Sequence, residues 1–201
     1  MHAMYETIFP DFEKRARIVG IAGPKGSGKS TAAAVLRSEF GFRRQGFADQ
    51  LKSMLYRIGL DHAQLFGDKK EEPSDLLCGR TPRHAMQTLG TEWGRDLIHP
   101  DLWVRATMFE LHRALQAWEP SEPMLIVIDD VRFENEVKAL KRAGAIFWHV
   151  RREGCHFSEH ASEAGVAPER LDRILNNDGN IEGFRELVRE AWRHDQENHW
   201  G

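Results

Sequence analysis

The sequence predicts an α/β fold with a mainly parallel sheet, because apolar runs of strand length alternate with helical segments. The clearest run is Met124–Ile128, which has five apolar residues in a row and ends at Asp129. A continuous run of this kind is typical of a central strand that is buried on both faces. Near residue 20, a second apolar run is followed by a glycine-rich segment and then by a helical segment, which is a strand–loop–helix order.

Five segments have the length and composition of strands: residues 17–22, 42–48, 124–128, 145–150 and 172–175. The second of these is unusually polar, because it contains Arg43-Arg44-Gln45. Helices are predicted at residues 31–40, 50–59, 62–66, 81–97, 101–118 and 133–143, and a closing helix has its apolar positions at Ile181, Phe184, Val188 and Trp192. The predicted fold is therefore a three-layer α/β/α sandwich around a five-stranded sheet.

Two of these helices carry apolar stripes that we expect to be buried. In the helix that Thr81 and Pro82 begin, the stripe is spaced at i, i+3, i+7 and i+11, and in the following helix it recurs every three or four residues. The stripes are Met86, Leu89, Trp93 and Leu97 in the first helix, and Val104, Met108, Leu111 and Leu115 in the second.

Length and composition favour a single domain over residues 1–201, with a polar flap at about 151–169. The net charge of −3 gives no basic field for nucleic acid, so we expect no nucleic-acid partner. No apolar run is long enough for a membrane span and no signal peptide is evident, so we expect a cytoplasmic protein that does not bind membranes. Cys78 and Cys155 lack metal-ligand spacing and are expected to be reduced thiols. The six tryptophans could serve a homodimer interface or the core.

The glycine-rich segment from Gly23 to Ser30 fits G-x-x-x-x-G-K-[ST], the phosphate-binding loop of P-loop nucleotide enzymes. Glycines allow the main chain to bring its N–H groups close to phosphate oxygens, and the dipole of the following helix favours the same anion. In this motif Lys29 reaches the β- and γ-phosphates, and the hydroxyl of Ser30 ligates Mg²⁺. The predicted phosphate contacts are Gly23, Lys25, Gly26, Ser27, Gly28, Lys29, Ser30 and Thr31.

Charged side chains follow the predicted strands, and the carboxyl ends of parallel strands lie at one edge of a sheet. Asp129 and Asp130 are candidates for supporting a metal ion, with a helix cap as the alternative. Arginines after strand ends suit the charge of phosphoryl transfer, although any single arginine could simply be a surface residue. Two further sets of residues could bind a ligand or could have ordinary surface or capping roles. The arginines are Arg132, Arg151 and Arg152, and the two open sets are Asp49 with Lys52 and Arg83 with Gln87 and Arg95.

The chain resembles the deoxynucleoside monophosphate kinases encoded by many bacteriophages, which are P-loop nucleoside-monophosphate kinases. The phosphate loop is generic to P-loop proteins, but the segments around Leu89 and Asp130 are more particular. The matching segments are Gly23–Ser30, Phe47-Ala-Asp-Gln-Leu-Lys52, Leu89-Gly-Thr-Glu-Trp-Gly-Arg95, Asp130-Val-Arg-Phe-Glu-Asn-Glu136, His160-Ala-Ser-Glu163 and Asn177-Asp178-Gly179.

The resemblance implies transfer of the γ-phosphoryl group of ATP to a dNMP with Mg²⁺, giving a dNDP and ADP. It implies that residues of about 50–118 bind the acceptor and that residues 151–169 form a lid. Carried over by position, Lys29, Arg132 and Arg152 are catalytic, Arg151 and Asn177 contact ATP, and Ser30 with Asp129 or Asp130 serves the metal. The implied acceptor-binding residues are Asp49, Lys52, Arg83, Gln87, Trp93, Arg95 and Arg132.

Two other functions share the phosphate loop. One is a different small-molecule P-loop kinase, similar to dephospho-coenzyme A kinase, which would differ in the acceptor pocket. The other is a nucleotide-binding switch or assembly ATPase, which would turn over ATP slowly whether or not a dNMP is present. The arginines at several strand ends argue against the second alternative.

Overall fold

A computed structural model of the chain describes residues 12–156 and 172–200. Helices separate most of the described strands, as the sequence predicts, and residues 49–116 form a run of helices without a strand. The helices are α1 (Phe12–Arg15), α2 (Lys29–Phe40), α3 (Asp49–Arg57), α4 (His62–Leu65), α5 (Pro82–Gln87), a π-helix (Thr88–Ile98), α6 (Leu102–Gln116), α7 (Glu134–Arg142) and α8 (Ile181–His199). The strands are β1 (Ala16–Ala22), β2 (Arg43–Arg44), β3 (Met124–Ile128), β4 (Ile146–Arg151) and β5 (Arg173–Asn176).

The chain divides into two compact units, one within residues 1–46 and 110–201 and the other within residues 47–109. The first unit contains the sheet. Its strand order is β2-β3-β1-β4-β5, and every pair of neighbouring strands is parallel. The predicted five-stranded parallel sheet is therefore confirmed, with β1 at its centre.

Helices cover both faces of this sheet, which gives the predicted three layers. On one face, Val19, Ile21 and Trp148 lie in a core with α2 and α8. Since side chains alternate along a strand, Ile18 and Phe147 point to the opposite face, where they are fully buried, and α7 packs against β1. Burial on both faces explains why β1, β3 and β4 are almost continuously apolar.

The predicted second strand is much shorter than residues 42–48. Only Arg43 and Arg44 pair with β3, at the edge of the sheet, and the N–H of Gln45 adds one bond to the carbonyl of Val127. An edge strand has one partner and needs few apolar side chains, which accounts for its polar composition. Two other differences concern the helices: Asp49 begins α3 and does not end a strand, and Ile181 in α8 is 52% exposed, whereas Phe184, Val188 and Trp192 are buried.

The second unit has its own core of leucines and one tryptophan, formed by Leu51, Leu55, Leu60, Leu65 and Trp103. Its longest helical stretch runs from Pro82 through the π-helix. The predicted N-cap is present, because the side chain of Thr81 accepts a hydrogen bond from the N–H of His84 and Pro82 occupies the first turn. The predicted stripe of α6 is also present, since Val104, Met108, Leu111 and Leu115 are all buried.

The prediction of a buried stripe through Met86, Leu89, Trp93 and Leu97 is wrong in its second half. Met86 and Leu89 pack against the leucine core, but Trp93 is 38% and Leu97 is 76% exposed. The reason is the π-helix, whose hydrogen bonds span five residues and whose turn is longer than that of an α-helix. Residues spaced for an α-helix therefore rotate away from the core along this segment.

None of the helices in the two described ranges has the length and hydropathy needed to cross a bilayer. Of the predicted flap at 151–169, only residues 151–156 belong to the described part of the chain.

Candidate active site

The phosphate loop connects the central strand β1 to the start of α2. Its three glycines adopt positive φ angles: 144° at Gly23, 83° at Gly26 and 114° at Gly28. At Gly28 a side chain would be strained by this angle and would also meet Asn177, whose Nδ2 lies 2.5 Å from the position of a Cβ. Because Gly28 is the N-cap of α2 and has no side chain, it leaves the first amides of the helix available to an anion.

Lys29 extends back over the loop from the first position of α2. Its Nζ donates hydrogen bonds to the carbonyl oxygens of Gly23 and Pro24, at 2.7 and 2.6 Å. The loop therefore places an ammonium group beside the main-chain amides at the N-terminus of a 12-residue helix. Amides, a helix dipole and a lysine together form a site that suits a polyphosphate.

Residues that follow β4 and β5 lie against the loop. Asn177 follows β5 directly, and its Nδ2 donates a hydrogen bond of 2.7 Å to the carbonyl of Ser27. After β4, Cys155 Sγ lies 3.5 Å from the position that a Cβ on Gly26 would take. The hydroxyl of Ser27 is fully buried and has no hydrogen-bond partner among the described residues.

The charged residues predicted at strand ends flank the loop along the same edge of the sheet. Strands β3 and β4 lie on either side of β1 and run parallel to it. Asp129 and Asp130 follow β3 directly, Arg151 is the last residue of β4 and Arg152 comes next. The sheet order thus places two acidic residues after the strand on one side of β1 and two arginines at the end of the strand on the other side.

One carboxylate of this edge is bound to an arginine that the sequence analysis did not select. Arg44 Nε donates to Asp129 Oδ1 at 2.8 Å, from the neighbouring strand β2. Burial raises the pKa of Asp129, Arg44 opposes this effect, and the nearby charge of Asp130 adds to it. Arg44 offsets part of the cost of keeping Asp129 charged.

Arg132 lies between β3 and α7, and its backbone is fixed by a buried carboxylate. Glu136 is 1% exposed, and its Oε2 accepts hydrogen bonds from the N–H groups of Arg132 and Phe133, at 2.7 and 3.0 Å. Sequence analysis gave Glu136 no role, although its position in the first turn of α7 is where a carboxylate commonly reaches back to preceding amides.

His149 is a second residue that the sequence analysis missed. It lies in β4, is 3% exposed, and pairs in register with Ala22, the last residue before the loop. Burial lowers its pKa, and the positive charges of Arg151 and Lys29 lower it further. A buried histidine inside an apolar run gives no sequence signal beyond its polarity.

The donors predicted for a metal ion have suitable chemistry. Ser30 offers a hydroxyl oxygen and Asp129 and Asp130 offer carboxylates, and these are the ligand types that Mg²⁺ takes. The described residues hold no group of three or more His, Cys, Asp or Glu side chains close enough to bind a metal by themselves. The donor types suit a Mg²⁺ site in which substrate phosphates and water complete the coordination.

Six predicted acceptor residues lie in the second unit, where several have protein partners. Arg83 forms an ion pair with Glu71, and Arg95 donates to the carbonyl of Pro100 at 3.0 Å. The ammonium of Lys52 lies 4.4 Å from the centroid of the Phe66 ring. Of the remaining three, Asp49 begins α3, Gln87 ends α5 and Trp93 lies in the π-helix.

Comparison with known proteins identifies the family. A family model for deoxynucleotide monophosphate kinase matches residues 80–188, more than half of the chain. A protein of Acanthamoeba polyphaga mimivirus, provisionally named a deoxynucleotide monophosphate kinase, is 33% identical over 186 residues, covering 83% of this chain and 91% of its own length. The chain belongs to the deoxynucleotide monophosphate kinase family. This membership confirms the resemblance predicted from the sequence, and with it the class of nucleoside-monophosphate kinase.

A phage member of the deoxynucleotide monophosphate kinase family matches a smaller part of the chain. The deoxynucleoside-5'-monophosphate kinase of Escherichia phage T5 is 29% identical over 141 residues, which are 66% of this chain and 52% of that enzyme. Among solved structures, TT1252 from Thermus thermophilus aligns with a TM-score of 0.45 at 22% identity, covering 90% of this chain and 98% of its own. The match to the kinase family model begins after the phosphate loop, so the loop and the family match are separate observations.

Proposed function

We propose that the chain transfers the γ-phosphoryl group of ATP to a deoxynucleoside monophosphate, giving a dNDP and ADP. The observation that carries the proposal is the phosphate loop between β1 and α2, in a chain of this kinase family. In the reaction, an oxygen of the dNMP phosphate attacks the γ-phosphorus of ATP, and the bond to the oxygen that bridges the β- and γ-phosphates breaks. No covalent enzyme intermediate is required.

On the donor side, the loop amides and Lys29 hold the phosphates of ATP. We expect the ammonium of Lys29 to exchange its bonds to the carbonyls of Gly23 and Pro24 for bonds to phosphate oxygens. Arg151 and Asn177 are further donor-side candidates. When Mg²⁺ is bound, it supplies neutralisation of phosphate charge, and Ser30 with Asp129 or Asp130 would hold it.

On the acceptor side, arginines offset the charge of the second phosphate. Arg132 and Arg152 are our candidates for this role beside the loop, because a guanidinium group can bind phosphate oxygens in pairs. The residues predicted for the rest of the acceptor lie in the second unit: Asp49, Lys52, Arg83, Gln87, Trp93 and Arg95. The π-helix supports this assignment, because π-helical turns occur frequently at functional sites.

The decisive experiment measures ADP release with ATP and Mg²⁺ against each of the four dNMPs and the matching ribonucleotides. We expect rapid release with at least one dNMP, and slow release with no acceptor. ADP release at one slow rate in every reaction would contradict the proposal and favour a switch or assembly ATPase. Omission of Mg²⁺, with EDTA present, should abolish transfer.

The control for this assay is Lys29→Ala, which removes the ammonium and leaves the loop glycines in place. We expect loss of transfer with an unchanged circular dichroism spectrum, because the lysine bonds described above go to carbonyls of the loop and join no elements of the core. Turnover near that of the unmodified protein would exclude Lys29 from the reaction. The relatives from phages and mimivirus favour the cytoplasm of a host cell as the place of action.

A further inference from the structure

The turn that follows β5 contacts the phosphate loop through one side chain. Asn177 is 8% exposed, and its Nδ2 donates to the carbonyl oxygen of Ser27 at 2.7 Å. Ser27 lies between two glycines of the loop. Glycine has no Cβ, so the backbone on both sides of Ser27 can adopt many conformations. The hydrogen bond from Asn177, which lies outside the loop, therefore restrains the loop backbone where it has the greatest conformational freedom.

The hydroxyl of Ser27 does not provide an alternative anchor. It is fully buried and without a hydrogen-bond partner among the described residues, and its N–H makes one longer bond of 3.3 Å to the carbonyl of Pro24. The amide of Asn177 also lies directly over Gly28, where any Cβ would come within 2.5 Å of Nδ2. Asn177 and Gly28 thus fit each other closely, and the side chain has little room to move.

The turn itself is held in place independently of the loop. The N–H of Asn177 donates to the carbonyl of Arg151 at 2.8 Å, and Asp178 Oδ1 accepts a bond from the N–H of Glu153 at 2.7 Å. Both bonds attach the turn to the end of β4. Removal of the Asn177 side chain would therefore leave the position of the turn unchanged, and would remove only the bond to the loop.

We propose that Asn177 is a positioning residue for the donor phosphates: it fixes the Ser27 carbonyl and thereby sets the direction of the loop amides that bind ATP. The inference rests on the proposed function for its kinetic test, but not for its binding test. A loop that is already shaped for its ligand loses less conformational entropy on binding, so the effect falls on ATP affinity and not on the acceptor.

The test compares Asn177→Ala and Asn177→Asp with Asn180→Ala. Asn180 is a matched control, since it lies three residues further along the same turn, and its side chain accepts a bond from the N–H of Gly183 at the start of α8. Asn177→Asp keeps the shape of the side chain but replaces the donor with a carboxylate, which faces the Ser27 carbonyl. It gives a second measurement if the alanine variant fails to fold.

We expect Asn177→Ala to raise the KM for ATP about tenfold, as for loss of one well-placed hydrogen bond, and to change the KM for the dNMP less than twofold. Asn177→Asp should raise the KM for ATP further, because the added charge repels phosphate. Asn180→Ala should change neither KM, although it lowers stability. Equal changes in the KM for ATP in Asn177→Ala and Asn180→Ala, or no change in either Asn177 variant, would overturn the inference.

Calorimetric titration with ATP and Mg²⁺, without an acceptor, separates this inference from the proposed function. If the unmodified protein transfers phosphate to no dNMP, the proposed function fails, yet the affinity for ATP can still be compared among the variants. Weaker ATP binding in the Asn177 variants alone supports the positioning role. The same affinity in all variants contradicts it.

Discussion

At the scale of single residues, His149 shows how the phosphate loop affects its surroundings. The ring is buried at the end of β4, and Arg151 and Lys29 are the cations that act on it. Because burial and both positive charges lower its pKa from the ordinary 6.5, the folded protein favours the neutral form at neutral pH. Protonation of His149 would add a third positive charge to those of Arg151 and Lys29.

This histidine should make stability depend on pH in a defined direction. Below about pH 6.5 the unfolded chain binds a proton at His149 that the folded chain does not, so the free energy of unfolding falls as the pH decreases. We expect the slope to reach at most about 1.4 kcal/mol per pH unit. Above that pH the contribution of this group is constant.

Urea unfolding of the unmodified protein and His149→Gln, at several values between about pH 5 and pH 8, checks this prediction. The stability difference between the two proteins should be flat at high pH and change in favour of His149→Gln as the pH falls. Subtraction removes the contribution of the other histidines. A difference that is independent of pH would show that the folded and unfolded proteins bind the same number of protons at this residue.

Arg132 should matter far more for turnover than an ordinary surface arginine. We expect Arg132→Ala to lower kcat/KM by about a hundredfold or more, because a cation that faces developing phosphate charge contributes several kcal/mol. Arg113 is the matched control, since its side chain is 63% exposed and forms an ion pair at 3.2 Å with Glu110, three residues earlier in the same helix. Steady-state kinetics of both variants provide the measurement, and equally small losses would remove Arg132 from the site.

At the scale of elements, the π-helix of the second unit is built around Trp103. The indole Nε1 donates to the carbonyl of Gly90 at 2.8 Å, and the ring packs against Gly94, where a Cβ would lie 2.5 Å from Nε1. Because the ring is 4% exposed and packed in the leucine core, it cannot move aside for a Cβ on Gly94. The glycine and the tryptophan together determine the course of this segment.

Gly94→Ala should therefore destabilise the protein by about 1–3 kcal/mol, the usual cost of overpacking. Gly183→Ala in α8 is the control, because a Cβ there would meet its nearest neighbour at 3.4 Å, an ordinary contact. In a regular helix this change is neutral or stabilises by up to about 1 kcal/mol. Chemical denaturation compares the two, and a Gly94→Ala variant as stable as Gly183→Ala would contradict the close packing.

The elements also show what the sequence could and could not predict. Strands β1, β3 and β4 were predicted within one or two residues, because burial on both faces requires continuous apolar runs. The edge strand β2 was overextended, since its pairing depends on the main chain and leaves little trace in the side chains. The exposure of Leu97 could not be predicted, because periodicity arguments assume an α-helical turn and the π-helix depends on a tryptophan beyond its own end.

The same limit applies within the candidate site. The phosphate loop could be predicted because its chemistry requires particular residues at fixed spacing. The bonds from Arg44 to Asp129 and from Asn177 to Ser27 join residues that are distant in the chain, so no local pattern records them. Sequence reasoning therefore predicts candidate residues for the site, but it misses these contacts between them.

At the scale of the whole molecule, nucleotide binding should stabilise the fold by mass action. At a free concentration about 100 times its Kd, a ligand that binds only the folded state adds about 2.7 kcal/mol. For a chain of this size that corresponds to an increase in Tm of roughly 5–10 °C. We expect this increase with a non-hydrolysable ATP analogue and Mg²⁺, and its loss in Lys29→Ala.

Differential scanning fluorimetry of both proteins over a range of analogue concentrations measures this effect. A Tm that stays constant up to millimolar analogue would contradict binding at the loop, whatever the result of the kinetic assays. An equal increase in the unmodified protein and in Lys29→Ala would place the nucleotide elsewhere.

The pairing of β1 with β3 has a consequence for how the protein is made. Ala16 aligns with Met124, and the whole of residues 47–109 is synthesised between the two strands. During translation the unit formed by those residues can therefore fold before the central strand gains either neighbour, since β4 follows later still. A ribosome-bound chain that stops short of residue 124 should be unable to retain nucleotide, even though the entire glycine motif has already left the exit tunnel.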